Sequence, residues 1–459
     1  MNHSETIFGP CKYSEKGMSE SETPGLAVGE VGSYFVANYP PFSTWTPDAV
    51  AADALAALAS RPAAVPLGLY LHVPFCRKRC HFCYFRVYTN KNAAQVEGYL
   101  DLLAREWDLL RAQPAIAGRN IDFVYFGGGT PSFLSSSQLQ SLVSRLTAHT
   151  PWTNAREITF ECEPGTLTEA KLGVIRSLGV TRLSLGVENF DDKILEVNGR
   201  AHRSGEIDRA YDQARALDFP QINIDLIAGM LGETDANWQR CIERTLALDP
   251  DSVTIYQMEL PFNTTISADI LKGAGQFQEH VAPWETRRRW VREAFAALER
   301  AGYTIGSAYT AVKDPSRTRF QYRDELWQGA DLVGTGVASF GHVNGVHMQN
   351  LDQWDAYEAA IDRGELPLSR AYRPTDDERL IRETILQLKR GSVRPSYFAG
   401  KFGVDIADRF ADVWTSIRRD GFLAPPADDR IGLTREGLLR VDMLLHRFFL
   451  PRHQGLRYT

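Results

Sequence analysis

The chain is predicted to fold as an α/β protein built on a parallel sheet, and three observations predict it. From Pro66 to about Ala301, short β-rich runs alternate six times with amphipathic stretches of helical period. Those stretches are long enough to serve as the crossovers that parallel strands require. Polar and glycine-rich clusters (CRKRCHFC, GGGTP, EPGT, ENFDD) recur just after the strand ends, the edge where parallel α/β folds carry their chemistry. Periodicity alone leaves an open doubly wound sheet and an incomplete barrel as equal alternatives.

The strands are read at LGLYLHV (67–73), IDFVYF (121–126), EITFEC (157–162), RLSLGV (182–187), INIDLIA (222–228) and SVTIYQM (252–258). Each is rich in β-branched, aromatic or other apolar residues. The helices are read at 93–110, 137–146, 169–179, 205–218 and 285–302, where apolar residues return at helical spacing. Residues 1–65 form an extension or cap: a polar tail, the aromatic stretch GSYFVANYPPFSTW (32–45) and an alanine-rich helix near 47–60. The repeating core occupies 66–302. A glycine-dense extension, 303–374, completes it and contains LVGTGVASFGHVNGVHMQN (332–350). A modestly basic helical domain fills 375–459.

Of 459 residues, 44% are hydrophobic and 24% charged, which is enough to bury a core without disulfides. Lysine and arginine number 51 against 57 acids, a net charge of -6, so charge gives no case for a nucleic-acid or anionic-membrane partner. No run approaches the ~18 apolar residues of a membrane span. The start MNHSETIFGPCKYSEKG lacks the apolar heart of a signal peptide. A cytoplasmic monomer is expected.

Six cysteines occur, at 11, 76, 80, 83, 162 and 241, and three of them crowd into eight residues. That is a metal-site pattern in a reducing compartment and not a disulfide framework. Cys76, Cys80 and Cys83 form C-x3-C-x2-C after the first strand, so three thiolates reach one small centre. Three cysteines around a four-iron cluster leave one iron open to bind something else. The alternative is a zinc site completed by His81 or His72. Cys11, Cys162 and Cys241 read as small buried or inert thiols. Gly127, Gly128 and Gly129 end the second strand without side chains, which lets backbone N–H groups approach a ligand or simply makes a tight turn. This is not the G-x-G-x-x-G of a dinucleotide fold. Glu161, taken by itself, reads as a solvated strand-end acid. Asp225 sits inside the otherwise apolar INIDLI, and burying an acid there requires a partner: a bound ribose or cation, or a salt bridge to an arginine such as Arg200.

The run YLHVPFCRKRCHFC (70–83) resembles the signature of the radical S-adenosylmethionine (SAM) superfamily, in its oxygen-independent coproporphyrinogen III oxidase-like branch. That branch typically reads Y-x-H-x-P-F-C-x3-C-x-[FY]-C, matched by Tyr70, His72, Pro74, Phe75 and the three cysteines. The likeness continues through GGGTP (127–131), ECEP (161–164), RLSLGVENF (182–190) and INIDLI (222–227), covering roughly 66 to 345. It implies an incomplete (β/α)6 barrel with an N-terminal extension and a C-terminal helical, winged-helix-like domain. It implies a [4Fe-4S] cluster on Cys76, Cys80 and Cys83, with the cluster-bound SAM contacted by Tyr70, Gly128 and Glu161, the acid meeting its amino group. A second SAM, as in the coproporphyrinogen-oxidising members, would lie at Phe82, Gly129, Thr130, Glu188, Arg200 and Asp225. The implied chemistry is reductive cleavage of SAM to methionine and a 5'-deoxyadenosyl radical that abstracts hydrogen from a small-molecule substrate, with flavodoxin or ferredoxin as electron donor.

Three departures bear on which member this resembles. The oxidases usually carry a fourth cysteine two residues after the third, where this chain has Phe85. The family usually has glutamine where Glu188 stands. Heme-chaperone relatives carry H-N-x-x-Y-W upstream of the glycine strand, whereas YRDELW keeps only Trp327. By elimination the expectation is the group in which the second SAM donates carbon, methylating or cyclopropanating a small molecule. The alternatives are oxidative decarboxylation of a tetrapyrrole, heme handling, or a zinc-stapled regulator whose winged helix binds DNA.

Overall fold

The computed structural model describes residues 35–261, 264–267 and 281–456, so Cys11 and the polar tail lie outside the described residues. Six strands follow one another in the sheet: β1 (Leu67–Val73), β2 (Phe123–Gly128), β3 (Glu157–Cys162), β4 (Arg182–Glu188), β5 (Gln221–Ala228) and β6 (Ser252–Gln257). All five neighbouring pairs are parallel. Past β6 come two short antiparallel strands in chain order, β7 (Thr304–Ile305) and β8 (Thr310–Val312), with β8 lying on β6. On the opposite flank β9 (Asp331–Thr335), from the glycine-dense segment, pairs parallel to β1 from Leu67↔Asp331 to Leu71↔Thr335. Beyond it β10 (Phe340–Val343), β11 (Val346–Asn350) and β12 (Leu368–Tyr372) run antiparallel. The edge strands β12 and β7 are not neighbours, and the sheet stays an open, incomplete barrel.

The strand bounds follow the sequence reading within a residue or two. The largest difference is β2, which runs two residues later than IDFVYF, because pairing with β1 continues to Val73↔Gly128 and draws the first two glycines into the ladder. Helices occupy the connections. Ala93–Arg111 and Ser136–Thr147 each start on a reciprocal capping box, Asn92 with Gln95 and Ser135 with Gln138. Glu169–Ser177, Ser204–Ala216 and Trp284–Arg300 fall where helical spacing placed them. Asp235–Leu248, between β5 and β6, and the short Asp192–Val197 were not among the helices read from the sequence. The alanine-rich stretch near 47–60 is helical over Val50–Leu58, opening with wide π-type turns.

Strand alternation divides the core into two faces. Leu67, Leu69, Leu71, Ile158, Phe160, Leu183, Leu185, Ile222, Ile224, Val253 and Ile255 belong to one hydrophobic cluster shared with the helices. On the other face, Glu157, Thr159, Arg182, Ser184, Gln221, Asn223, Ser252 and Thr254 are all buried. Around Asn223 this inner face satisfies its own polar groups, as buried polar groups require. Asn223 donates to Ser184 (3.0 Å) and Asp225 (2.9 Å), while Ser252 and Thr254 donate back to Asn223 (2.8 and 3.0 Å).

The chain beyond residue 375 is helical, with a two-stranded antiparallel ladder of β13 (Ser392–Val393) and β14 (Ile431–Gly432), and forms its own hydrophobic cluster. The segment after residue 35 packs against both parts. Trp45 stacks on His347 of β11, and Tyr39 meets Phe449 and His453. Val36 donates to Asp442 (2.9 Å) and accepts from buried Lys389 (2.7 Å), while Phe35 donates to Glu259 (2.6 Å).

Candidate functional site

The cysteine loop leaves β1 and is tied down at several points around the carboxyl edge of the sheet. Its ends are clasped by Cys76 N–H to the Tyr88 carbonyl (3.1 Å) and Tyr88 N–H to the Pro74 carbonyl (2.7 Å). Arg77 makes a two-pronged bond to Glu163 just past β3 (2.9 and 2.8 Å). Burial alone would raise the Glu163 carboxyl, yet hydrogen bonds from His202 and Arg77 prevail and hold it down at about 2. Arg77 also explains Gly165 in EPGT: a Cβ there would sit 2.1 Å from the Arg77 guanidinium. His81 N–H donates to the Asn198 carbonyl (3.0 Å), fastening the loop beyond β4.

The three sulfurs converge. Burial pushes the Cys76 thiol up to about 12, and charge on Cys83 and Cys80 adds to the rise. Burial likewise raises Cys83 to about 11, with Cys80 next. Ionising this trio is therefore costly unless a cationic centre draws the charge, which is what iron supplies to thiolate ligands. Two sulfurs already have donors: Thr130 Oγ1 to Cys76 Sγ and Arg200 Nη1 to Cys80 Sγ, both at 3.3 Å. The donor set fits a thiolate-bound cluster. Of the histidines of the zinc alternative, His81 Nδ1 meets the Val197 carbonyl (2.9 Å) and His72 Nδ1 the Tyr70 hydroxyl (3.1 Å). Among the described residues, no group of three or more His, Cys, Asp and Glu side chains is arranged to hold a single metal ion.

Beside the loop, buried acids line the ends of β3 to β5. Glu161 accepts from Tyr125 (2.6 Å); burial lifts it to about 7 against that bond, with Asp225 adding to the rise. Asp225 is held by Ser184 (2.9 Å) and Asn223 (2.9 Å) and not by Arg200, so the salt-bridge alternative is set aside; burial raises its carboxyl too. Arg200 instead pairs with Glu188 (3.6 Å) and donates to the Gly186 carbonyl (2.7 Å). Burial raises Glu188 to about 7 although Arg200 opposes it. Glu188 has φ 64, and the β4–β5 register slips between Gly186 and Glu188. Such a bulge re-aims a side chain, and the left-handed backbone of a non-glycine residue is a strain of about 1–3 kcal/mol of the kind that gathers at functional sites.

Tyr70 stacks on Tyr125 (5.9 Å, 22°), and the pair covers Glu161 from the β1 side. Gly128, at φ +115, leaves room for the His72 ring, which a Cβ would meet at 2.8 Å; at Gly129 a Cβ would strike the Pro74–Phe75 backbone at 2.9 Å. The glycines thus let the cysteine loop close against β2. Phe82 packs on a small apolar cluster of Ile194, Ile227, Met230 and Met258 beyond β5 and β6. Cys162, the last residue of β3, and Cys241, in Asp235–Leu248, are buried in the hydrophobic cluster shared with the helices. Of the predicted site residues, Cys76, Cys80, Phe82 and Cys83 lie in the cysteine loop, Gly128, Gly129, Thr130, Glu161 and Glu188 at or just past strand ends, Tyr70 and Asp225 within β1 and β5, and Arg200 in the turn after Asp192–Val197. Tyr125, Glu163, Ser184 and Asn223 were missed. For Ser184 and Asn223 the signal was the alternation in RLSLGV and QINIDL, where every second residue is polar or glycine; Tyr125 and Glu163 lie outside those runs.

The Radical SAM superfamily model matches residues 70–245. An oxygen-independent coproporphyrinogen III oxidase from Pseudomonas aeruginosa is 30% identical over 423 residues, spanning 87% of this chain and 89% of that protein. The chain belongs to the HemN-like radical SAM family. The heme chaperone HemW of Bacillus subtilis, 27% identical, covers 81% of this chain and is itself covered over 96%. Coproporphyrinogen III oxidase (HemN) from Escherichia coli shares the fold at a TM-score of 0.78, with 24% identity over 90% of this chain and 96% of that one. The HemN-like radical SAM family uses a [4Fe-4S] cluster and SAM. A cationic sulfonium and ammonium suit a site whose buried Glu161 and Asp225 are bonded to neutral donors. No helix among the described residues is long and apolar enough to cross a membrane.

Proposed function

We propose that this radical SAM enzyme uses two SAM molecules and transfers a SAM-derived carbon to a small molecule, by methylation or cyclopropanation. The observation that supports the two-SAM part is a run of two neighbouring, partly buried polar sets at the carboxyl edge. One is Tyr70, Tyr125 and Glu161 beside Gly128. The other is Glu188, paired with Arg200, together with Asp225, whose charge acts on Glu188. Carbon transfer is favoured over oxidation by Phe85, which is half-exposed against Tyr84 where the oxidases usually carry a further cysteine.

In this reading Cys76, Cys80 and Cys83 hold the cluster, which when bound supplies the electron that cleaves SAM reductively. Glu161 receives the ammonium of the first SAM, and Tyr125 keeps that carboxylate oriented. The Arg200 guanidinium neutralises charge at Cys80 while its pairing with Glu188 fixes the second subsite. Asp225, aligned by Ser184 and Asn223, accepts from ribose hydroxyls. Phe82 and its apolar neighbours keep water from the reacting centre. Flavodoxin or ferredoxin delivers the electron, and the segment 375–459 serves as a packing module.

The relatives' names supply a second reading, oxidative decarboxylation of coproporphyrinogen III, or heme carriage as in HemW. Anaerobic turnover with methyl-labelled SAM separates them. Carbon transfer places label in a product, and 5'-deoxyadenosine forms only with reductant and SAM. Unlabelled product with loss of carbon dioxide from coproporphyrinogen III, or stoichiometric heme uptake without SAM cleavage, overturns the proposal.

A further inference from the structure

The amino edge of the sheet, opposite the cysteines, holds a cavity of about 410 Å³ lined in part by the first inner-face residues of β4, β5 and β6: Arg182, Gln221 and Ser252. The segment around residues 306–328 closes it. Arg182 and Glu188 stand at the two ends of β4, six residues apart, so this cavity lies about 20 Å from the cysteine edge at ~3.3 Å per residue.

Its walls are strongly cationic in a chain of net charge -6. Five arginines line it, at 156, 182, 319, 323 and 390, against two acids, Asp324 and Glu325. The acids are taken: Glu325 by Arg156 (2.7 Å), and Asp324 by Arg323 (2.7 Å) with Arg390 at 3.8 Å. A second cavity of about 440 Å³ shares Gly306, Gln328 and Arg390 with the first, adds Arg394 and Arg430, and has no acid among its lining residues.

Arg182 supplies the independent sign of a ligand. It is 2% exposed, and its guanidinium lies over the Phe320 ring at 4.2 Å, a stacking that leaves its in-plane donors free at the edge. With the Gln221 amide turned so that its oxygen faces Arg182, Nε donates to it (3.1 Å), and no ion pair within 4 Å forms at the two terminal nitrogens among the described residues. Three acids feel the Arg182 charge without bonding to it: Glu157, whose oxygens are committed to the backbone N–H groups of Gln321 (2.9 Å) and Tyr322 (3.1 Å), Asp225, held by Ser184 and Asn223, and Glu161, held by Tyr125. A buried arginine with unmet donors facing a cavity is costly unless an anion completes it.

We propose that these adjoining cavities bind a small molecule bearing two or more phosphate or carboxylate groups, one group meeting Arg182 and Arg319 and another the cluster of Arg390, Arg394 and Arg430. Guanidinium forks suit both chemistries. Because Arg182 belongs to the sheet whereas Arg394 and Arg430 belong to the C-terminal helical part, the bound anion bridges the two.

The test is thermal denaturation and calorimetric titration of the full chain with inorganic pyrophosphate, tricarballylate and, at matched ionic strength, acetate. Pyrophosphate or tricarballylate is expected to raise Tm saturably, as a ligand selective for the native state does, while acetate does not. Whichever polyanion acts identifies phosphate or carboxylate chemistry. The double variant Arg319→Gln/Arg394→Gln, both exposed positions, is expected to weaken binding about tenfold or more with reductive SAM cleavage unchanged; Arg182→Gln is expected to abolish it. No saturable shift with either polyanion, or an undiminished shift in the double variant, overturns the proposal.

Discussion

The Arg200 guanidinium places Nη1 3.3 Å from Cys80 Sγ while its Nη2 donates to the Gly186 carbonyl at 2.7 Å. One side chain therefore joins a proposed cluster ligand to the β4 bulge that carries Glu188. A donor aimed at a ligand thiolate stabilises the more negative, reduced cluster. Arg200→Gln should lower the cluster midpoint potential by on the order of 100 mV, the one-electron equivalent of a charge-assisted hydrogen bond. Thr130→Val, which removes the donor to Cys76, should lower it less. Redox titration followed by electron paramagnetic resonance measures both; an unchanged potential in Arg200→Gln contradicts the assignment.

Each cysteine is expected to be indispensable. Cys76→Ala, Cys80→Ala and Cys83→Ala, purified anaerobically and reconstituted, should hold substoichiometric iron and sulfide and give only background 5'-deoxyadenosine. Cys162→Ala, whose thiol is buried in the core cluster on the helix side of β3, should retain a full cluster. Iron and sulfide analysis beside product chromatography checks this, and a full cluster in any of the first three counts against the ligand set.

Gly128→Ala should destabilise the fold by about 1–3 kcal/mol, since φ +115 disfavours any side chain and the new methyl meets the His72 ring. The displaced ring abuts the cysteine loop, so SAM cleavage should fall together with Tm. Circular dichroism melts and single-turnover assays report the two effects.

Glu106 gives a pH signature remote from the cysteines. It is fully buried and accepts from Tyr357 (2.5 Å), Asn350 (2.5 Å) and the Gly336 N–H (2.7 Å), yet burial outweighs these donors and raises it to about 7. A carboxyl raised in the folded state binds its proton more tightly there than in the unfolded chain. Its contribution is complete below about 4.5 and is lost as pH climbs through 7, a total of about 3 kcal/mol. Denaturant melts of wild type and Glu106→Gln between these limits should differ in slope, the variant declining less with pH. Parallel slopes would show that Glu106 does not titrate in this window.

What could be read in advance was local. The bounds of β3 match EITFEC because Ile158, Phe160 and Cys162 all face the helices, and the C-x3-C-x2-C spacing confines its sulfurs to one loop whatever surrounds it. The polar inner face was less legible, since Glu161 and Asp225 read as isolated acids until register set Ser184 beside Asn223 and both beside Asp225. The Arg77–Glu163 clasp and the Arg200–Cys80 bond join residues 86 and 120 positions apart, and no periodicity reports such pairs. The slip that tips Glu188 into the site depends on sheet register, which composition does not carry.

The placement of β9 beside β1 governs when the protein becomes able to load metal. The strand that launches the cysteine loop acquires one neighbour from position 123 and the other only from position 331, so its last ladder closes across some 264 residues. On a ribosome, roughly three quarters of the polypeptide must emerge before that strand is flanked on both sides. Iron and sulfide are then accepted late in biogenesis, after the nascent barrel has drawn its distant flank alongside.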